Sequence, residues 1–231
     1  MNIALIGYGK MGRMIEQAAL VRGHMIGFKA DIAGNEQGQM LTRENFSSVD
    51  VAIDFTVPEA VVRNVDKLSA LGVRMVIGTT GWWDHLPQVR DMVEARNTGL
   101  VYGSNFSIGV NLFFRLMEQA ATMMAGQPMY DPFIHEIHHN QKLDAPSGTA
   151  LQLEKILGKS YGNRKISVAS NRAGTVPGEH TVGFDSEADT LTFTHTARSR
   201  AGFAAGAVHA AEWIATRKGL HEFSATLADS R

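Results

Sequence analysis

The chain has 231 residues, a hydrophobic share of 44% and a charged share of 19%, the balance of a globular protein with room for two modest domains. A formal net charge of -1 provides no general field for nucleic acid, and the absence of cysteine removes disulfides, thiolate catalysis and cysteine-ligated zinc or iron–sulfur sites together. No apolar run approaches the ~20 residues of a membrane span, and Gly7 breaks the opening apolar stretch before an export leader could form. A cytoplasmic protein with neither membrane nor nucleic-acid partner is expected.

Short β-rich runs over residues 3–6, 25–30, 49–55, 74–78 and 100–102 alternate with helical patterns over 11–21, 60–71 and 86–95. That alternation predicts a Rossmann-type, doubly wound parallel sheet covered by helices on both faces. Val51-Ala52-Ile53 and Met75-Val76-Ile77 are apolar on both sides, as strands between two helix layers must be. After a helix over 112–124 the pattern becomes α+β. Strands are expected over 133–138, 166–169, 181–184 and 190–195, and a helix over 149–157, giving a second domain with a mixed or antiparallel sheet. An alanine-rich helix over 204–217 closes the chain. The expected division is a dinucleotide-binding domain over 1–108, completed by 204–231, and a substrate-binding and oligomerisation domain over 109–203.

Gly7-Tyr8-Gly9-Lys10-Met11-Gly12 is G-x-G-x-x-G between the first strand and the first helix. There the glycines allow a tight turn and close backbone approach, and the helix terminus faces a pyrophosphate. A glycine-rich turn without a ligand is the plainer alternative; the strand–helix context favours a dinucleotide. Asp31 stands where an acidic residue binds the adenine ribose, while Lys29 could meet a 2′-phosphate. Phe55-Thr56 and Gly78-Thr79-Thr80 close the third and fourth strands at the carboxyl edge, where open α/β sheets bind ligands.

The segment from Ile134 to Ala150 places Glu136, His138, His139 and Lys142 ahead of Pro146-Ser147-Gly148-Thr149, which reads as a helix capped by Ser147. Imidazole, ammonium and the unpaired N–H groups of a helix start together suit a small carboxylate. His135-Glu136-Ile137-His138-His139 also matches the H-E-x-x-H zinc pattern, which requires a helix; strand-like alternation and the flanking prolines argue against one, so no metal is expected. Glu136 and His138 share one side of a strand, and Glu136 is placed to orient a ring rather than react. The stretch from Arg172 to His180 reads as a loop, a lid or interface element. A zinc hydrolase and a non-catalytic dinucleotide sensor are the competing classes.

These motifs, with Asp54-Phe55-Thr56, Ser104-Asn105-Phe106-Ser107-Ile108-Gly109-Val110-Asn111 and above all Glu136-Ile137-His138-His139-Asn140-Gln141-Lys142-Leu143-Asp144-Ala145-Pro146-Ser147-Gly148-Thr149-Ala150, resemble the 4-hydroxy-tetrahydrodipicolinate reductase (dihydrodipicolinate reductase) family from the first strand through Arg200. The resemblance implies NAD(P)H-dependent reduction of a cyclic dicarboxylate in bacterial lysine and diaminopimelate synthesis by a homotetramer. It implies His138 as general acid, Lys142 as second donor, and His139, Gly148 and Thr149 as substrate-binding residues. For the cofactor, NADH or NADPH, it implies Gly7, Gly9, Lys10, Met11, Gly12, Asp31, Phe55, Thr56, Gly78, Thr79, Thr80, Ser104, Asn105 and Phe106. The region after the second strand is trimmed, and Ile32 follows Asp31 where some relatives carry an arginine, which tilts the choice toward NADH or dual use.

Overall fold

The computed structural model describes residues 1–31 and 33–228. It forms two compact units: Met1–Ile108 with the chain from Ala201 onward, and Gly109–Arg200.

The first unit begins with β1 (Asn2–Ile6), α1 (Lys10–Val21) and β2 (Met25–Ala30), followed by β3 (Val51–Asp54), α2 (Pro58–Ala70), β4 (Arg74–Ile77), α3 (Leu86–Ala95) and β5 (Gly99–Tyr102). Its strands alternate between two cores. Ile3, Leu5, Ile53 and Val76 pack with Ile15 and Ala19 of α1 on one face; Ala4, Ile6, Met75 and Ile77 pack with Val61, Val65 and Val89 of α2 and α3 on the other. Each aliphatic side chain fully buried in this way contributes about 1.5–3 kcal/mol, so the parallel sheet is held by both of its faces. Between β2 and β3 the described residues form turns and no strand.

The second unit contains most of α4 (Ile108–Ala125), then β6 (Asp131–His138), α5 (Gly148–Tyr161), β7 (Ser167–Arg172), β8 (Glu179–Asp185) and β9 (Thr190–Thr196). The sheet order is β7-β6-β8-β9, with β6 parallel to β7 and antiparallel to β8. On β6, Pro132, Ile134, Glu136 and His138 are the buried set. Ile134 joins Phe113 and Met117 of α4 and Leu153 and Leu157 of α5 in one core. Glu136 and His138 continue its row toward the strand's carboxyl end, because alternate residues share a face.

The chain ends with α6 (Ala201–Ile214), β10 (Gly219–Glu222) and a short 3-10 turn. α6 lies on the first unit's sheet, and β10 extends that sheet to the order β10-β5-β4-β3-β1-β2 with parallel pairing throughout. The small residues of α6 let it approach closely: a Cβ at Gly206 would stand 1.7 Å from the Phe106 carbonyl. The sequence pattern starts this helix at 204 and runs it to 217; in the structure Ala201 opens it and Ile214 ends it. The expectation for 229–231 lies outside the described residues.

Candidate active site

In the first unit the order of strands reverses between β1 and β3, the place where open α/β sheets form a crevice at their carboxyl ends. A cleft of roughly 390 Å³ lies there, lined by Gly7, Gly9, Lys10, Met11, Gly12, Phe55, Thr56, Pro58, Gly78, Thr79 and Thr80. Two of the glycines are required by the fold. Gly7 has φ +89°, and a Cβ on it would sit 2.2 Å from the Phe55 carbonyl; one on Gly12 would sit 2.4 Å from the Gly7 carbonyl. Gly9 differs, since a Cβ there meets no atom within 4 Å. The space beside Gly9 belongs to the cleft, and Gly9 caps α1 without any side-chain acceptor for the first-turn N–H groups. Open space and uncapped donors at a helix start fit the pyrophosphate of a dinucleotide.

Asp54 ties the far wall together. It is fully buried; Oδ1 accepts hydrogen bonds from the Thr56 N–H (3.0 Å) and hydroxyl (2.6 Å), and Oδ2 accepts one from Asn64 Nδ2 at 2.8 Å. The Thr56 N–H also donates to the Thr79 hydroxyl at 2.8 Å, joining the turns after β3 and β4. Burial raises the Asp54 carboxyl, and these donors only partly offset it. Trp82 Nε1 donates to the Thr79 carbonyl at 2.8 Å, which stiffens the second turn.

At the outer edge of β2, Lys29 Nζ lies 3.2 Å from the Tyr8 hydroxyl, is paired with Glu16, and stands 4.6 Å from the centre of the Tyr8 ring. Hydrogen bonds from Lys29 and Tyr8 lower the Glu16 carboxyl. Asp31 is exposed just past β2. Ile32, on which the arginine comparison rests, lies outside the described residues.

In the second unit the centre is Glu136, with 0% exposure. Oε1 accepts hydrogen bonds from the Ser147 N–H and from an Arg172 terminal nitrogen, each at 3.0 Å. Oε2 faces His138 Nδ1 at 3.3 Å and His180 Nε2 at 3.5 Å. Burial alone would raise this carboxyl, but hydrogen bonds from Ser147, Ser170 and Arg172 hold it at about 2, so it is ionised. The His138 and His180 rings stand edge to face, 5.0 Å apart. Burial lowers both histidines, His180 to about 4, and the Glu136 charge opposes the effect.

Ser147 caps α5 as its spacing implies: the hydroxyl accepts from the Ala150 N–H at 3.2 Å and lies 3.1 Å from His180 Nε2. The helix gives the Gly148 and Thr149 N–H groups no partner of its own, and a Cβ on Gly148 would meet nothing within 4 Å. Lys142 Nζ reaches Asp144 at 2.7 Å. β6 ends at His138, so His139 begins the turn that leads to Lys142. Over the Nε2 edge of His138 lies Gly178, at φ +150°, where a Cβ would stand 2.9 Å from that nitrogen.

The H-E-x-x-H pattern lies on a strand, with His135 and Glu136 on opposite faces of β6. Glu136, His138 and His180 bring ligating atoms within 4.8 Å of one another, but Arg172 already answers the carboxylate charge.

Comparison with known proteins accounts for both halves. The description "Dihydrodipicolinate reductase, N-terminus" matches residues 1–106, and its C-terminal counterpart matches residues 109–227. The chain belongs to the dihydrodipicolinate reductase family. It is 41% identical over 240 residues to the 4-hydroxy-tetrahydrodipicolinate reductase of Christiangramia forsetii, covering 99% of this chain and 98% of the relative. It is 35% identical over 246 residues to that of Archaeoglobus fulgidus, covering 93% and 94%. A solved dipicolinate-bound dihydrodipicolinate reductase from Paenisporosarcina sp. TG-14 superposes with TM-score 0.77 at 25% identity, over 96% of this chain and 97% of that one. The family members are NAD(P)H-dependent oxidoreductases, and the two-sheet architecture expected from the sequence is the one observed.

For a dihydrodipicolinate reductase, the structure gathers Gly7, Gly9, Lys10, Met11, Gly12, Phe55, Thr56, Gly78, Thr79 and Thr80 at one cleft. It does not bring Ser104, Asn105 and Phe106 into its lining. Phe106 is buried against Phe55 and Phe223, and Asn105 Oδ1 accepts from the Ser107 N–H at 2.8 Å. The stretch from Arg172 to His180 is not all loop: Arg172 ends β7 and His180 lies within β8, both meeting Glu136. Their strand pairing with β6 places them there, and no local spacing signals it.

Proposed function

We propose that, in the reaction of its family, the chain uses its first unit to hold NAD(P)H and its second to hold and protonate a small dicarboxylate. That reaction reduces 4-hydroxy-tetrahydrodipicolinate to tetrahydrodipicolinate with loss of water, in lysine and diaminopimelate biosynthesis. The observation that carries the residue assignment is the convergence of Glu136, His138 and the capped start of α5 on one buried cluster.

Bound NAD(P)H supplies the hydride. The α1 terminus at Gly7, Gly9 and Gly12 would hold its pyrophosphate, and the turns carrying Phe55, Thr56, Gly78, Thr79 and Thr80 its nicotinamide end. As the hydroxyl leaves C4 of the conjugated imine and that carbon is reduced, negative charge moves onto ring atoms and must be met by a proton. His138 delivers that proton from its Nε2 edge, which the glycine at 178 leaves free of side chain. Lys142 acts as the second donor, released from Asp144 when a substrate carboxylate competes for it. His139 binds the substrate, and the N–H groups of Gly148 and Thr149 receive a carboxylate where the glycine permits close approach.

Both cofactors are accepted, with NADH favoured. Asp31 stands at the ribose end of β2, and Lys29, the available counter-charge, is already engaged by Glu16. The enzyme works in the cytoplasm as a homotetramer, as the family resemblance implies; the exposed Leu191 and Phe193 of β9 support assembly through the second unit's sheet, though not its number of copies. Among the described residues no helix is long and apolar enough to cross a membrane. Freshly generated hydroxytetrahydrodipicolinate should cause loss of nicotinamide absorbance with tetrahydrodipicolinate as the product by mass. Dinucleotide binding without turnover would leave only a sensor.

A further inference from the structure

Delivery of the proton from the Nε2 edge of His138 requires something to hold the ring by its other nitrogen and to favour its charged form. We propose that Glu136 is the positioning residue of the proton transfer: its buried carboxylate holds His138 by Nδ1–H, so that the proton leaves from Nε2 of the doubly protonated ring. This inference rests on His138 being the acid.

The argument begins with what an ionised carboxylate can do. It accepts hydrogen bonds and donates none. Among the described residues Oε2 has no hydrogen-bond donor facing it except the two imidazoles, and His138 Nδ1 is likewise buried with no other hydrogen-bond partner. Only a ring carrying hydrogen on Nδ1 is compatible with that contact, which is long at 3.3 Å, as such contacts often are before substrate binds. A neutral ring of this tautomer has a bare Nε2 and nothing to give there. The donor is therefore the imidazolium: its Nε2–H bond breaks, the proton joins the substrate ring, and neutral His138 keeps its Nδ1–H toward Glu136 until solvent restores the charge.

The surroundings show why a carboxylate is needed. Lys142 on the turn after β6, Arg172 on β7 and His180 on β8, with His195 on β9 behind it, are cationic or titratable, and α5 directs its positive end to the same place. Burial and these groups work against the imidazolium. Glu136 and, farther out, Asp144 favour it. The other oxygen of Glu136 serves the substrate side. Through the Ser147 N–H it holds the start of α5, and through Arg172, which also donates to the Lys142 carbonyl at 3.3 Å, it holds the turn carrying the second donor. One charge thus sets both the acid and the carboxylate cradle.

The test uses the intact enzyme and reads the ring directly. Nitrogen NMR of the His138 imidazole in the wild type should show the neutral ring protonated on Nδ1; protonation on Nε2 would overturn the proposal without any variant. In Glu136→Gln the His138 titration should fall by about one unit or more, and the limb of the kcat/KM profile that declines with rising pH should move with it, an about tenfold loss at neutral pH per unit. Dinucleotide affinity should not change. Glu136→Asp should restore much of the shift, which a merely structural role would not require. An unmoved ring titration in folded Glu136→Gln would overturn the proposal. A moved titration with an unmoved pH–rate profile would instead remove His138 as acid, and the proposal would fall with that assignment.

Discussion

Ser147 bears on both the stability of the second unit and its chemistry, and Ser147→Ala separates its two hydroxyl contacts from its backbone. The hydroxyl caps α5 through the Ala150 N–H and stands 3.1 Å from buried His180 Nε2, whereas the bond to Glu136 comes from the main chain and survives the change. Losing the cap costs about 1 kcal/mol, and leaving buried His180 Nε2 with only its long 3.5 Å contact to Glu136 costs about 1–3 kcal/mol. The total is about 2–4 kcal/mol, confined to the second unit. Trp82, Trp83 and Trp213 all lie in the first unit, so tryptophan fluorescence will not register it. Hydrogen exchange of the α5 amides will. At 1.4 kcal/mol per factor of ten, exchange there should accelerate roughly 30- to 700-fold, while Ser147→Thr, which keeps a hydroxyl, should lie between the two. A change within about 0.5 kcal/mol, the range of an ordinary surface substitution, would refute both the cap and the His180 contact as described.

Three further outcomes follow from the geometry. Gly9→Val should keep its melting temperature and weaken dinucleotide binding, since a Cβ at Gly9 meets only open space, whereas Gly7→Ala should lower the melting temperature, because its Cβ would overlap the Phe55 carbonyl; equal thermal losses in both would contradict this. Acid should destabilise the second unit in stages. His180 is lowered from 6.5 to about 4 and Glu136 from 4.5 to about 2; each therefore gives stability that is complete above its unfolded value and is lost as pH falls through its folded one. His180→Gln should abolish the part lost between about pH 6.5 and 4; an unchanged pH dependence of α5 exchange would count against the buried neutral ring. Finally, Asp31→Ala should raise kcat/KM with NADPH relative to NADH by several-fold, the scale of about 1 kcal/mol at an exposed site; an unaltered ratio would show that Asp31 does not set the preference.

What the sequence reveals is what local patterns encode. The residue range 25–30 for β2 and 86–95 for α3 match the structure because alternation, Leu86-Pro87 and the apolar period act within each element. Ser147 declares its cap three residues ahead of Ala150. β10 was invisible: Gly219-Leu220-His221-Glu222 is four residues long without alternation, and pairing with β5 makes it a strand. Arg172 meets Glu136 across 36 residues of chain, so a reading by spacing assigns it to a loop. Phe106 belongs to a motif that resemblance ties to the cofactor; in the structure its ring packs against Phe55 and Phe223, contacts set by the fold rather than by local spacing.

The most direct test of the account is the single-turnover rate of His138→Gln with saturating hydroxytetrahydrodipicolinate and NAD(P)H, set beside the dinucleotide affinity of the same variant. The rate should fall about 10²- to 10⁴-fold, as for a lost positioned acid, while dinucleotide affinity is retained, since the Gly7–Gly12 cleft is lined by residues of the first unit alone. Near-wild-type turnover in that variant would contradict the assignment of the proton donor, and with it the reading of the buried Glu136–His138 cluster as the catalytic centre.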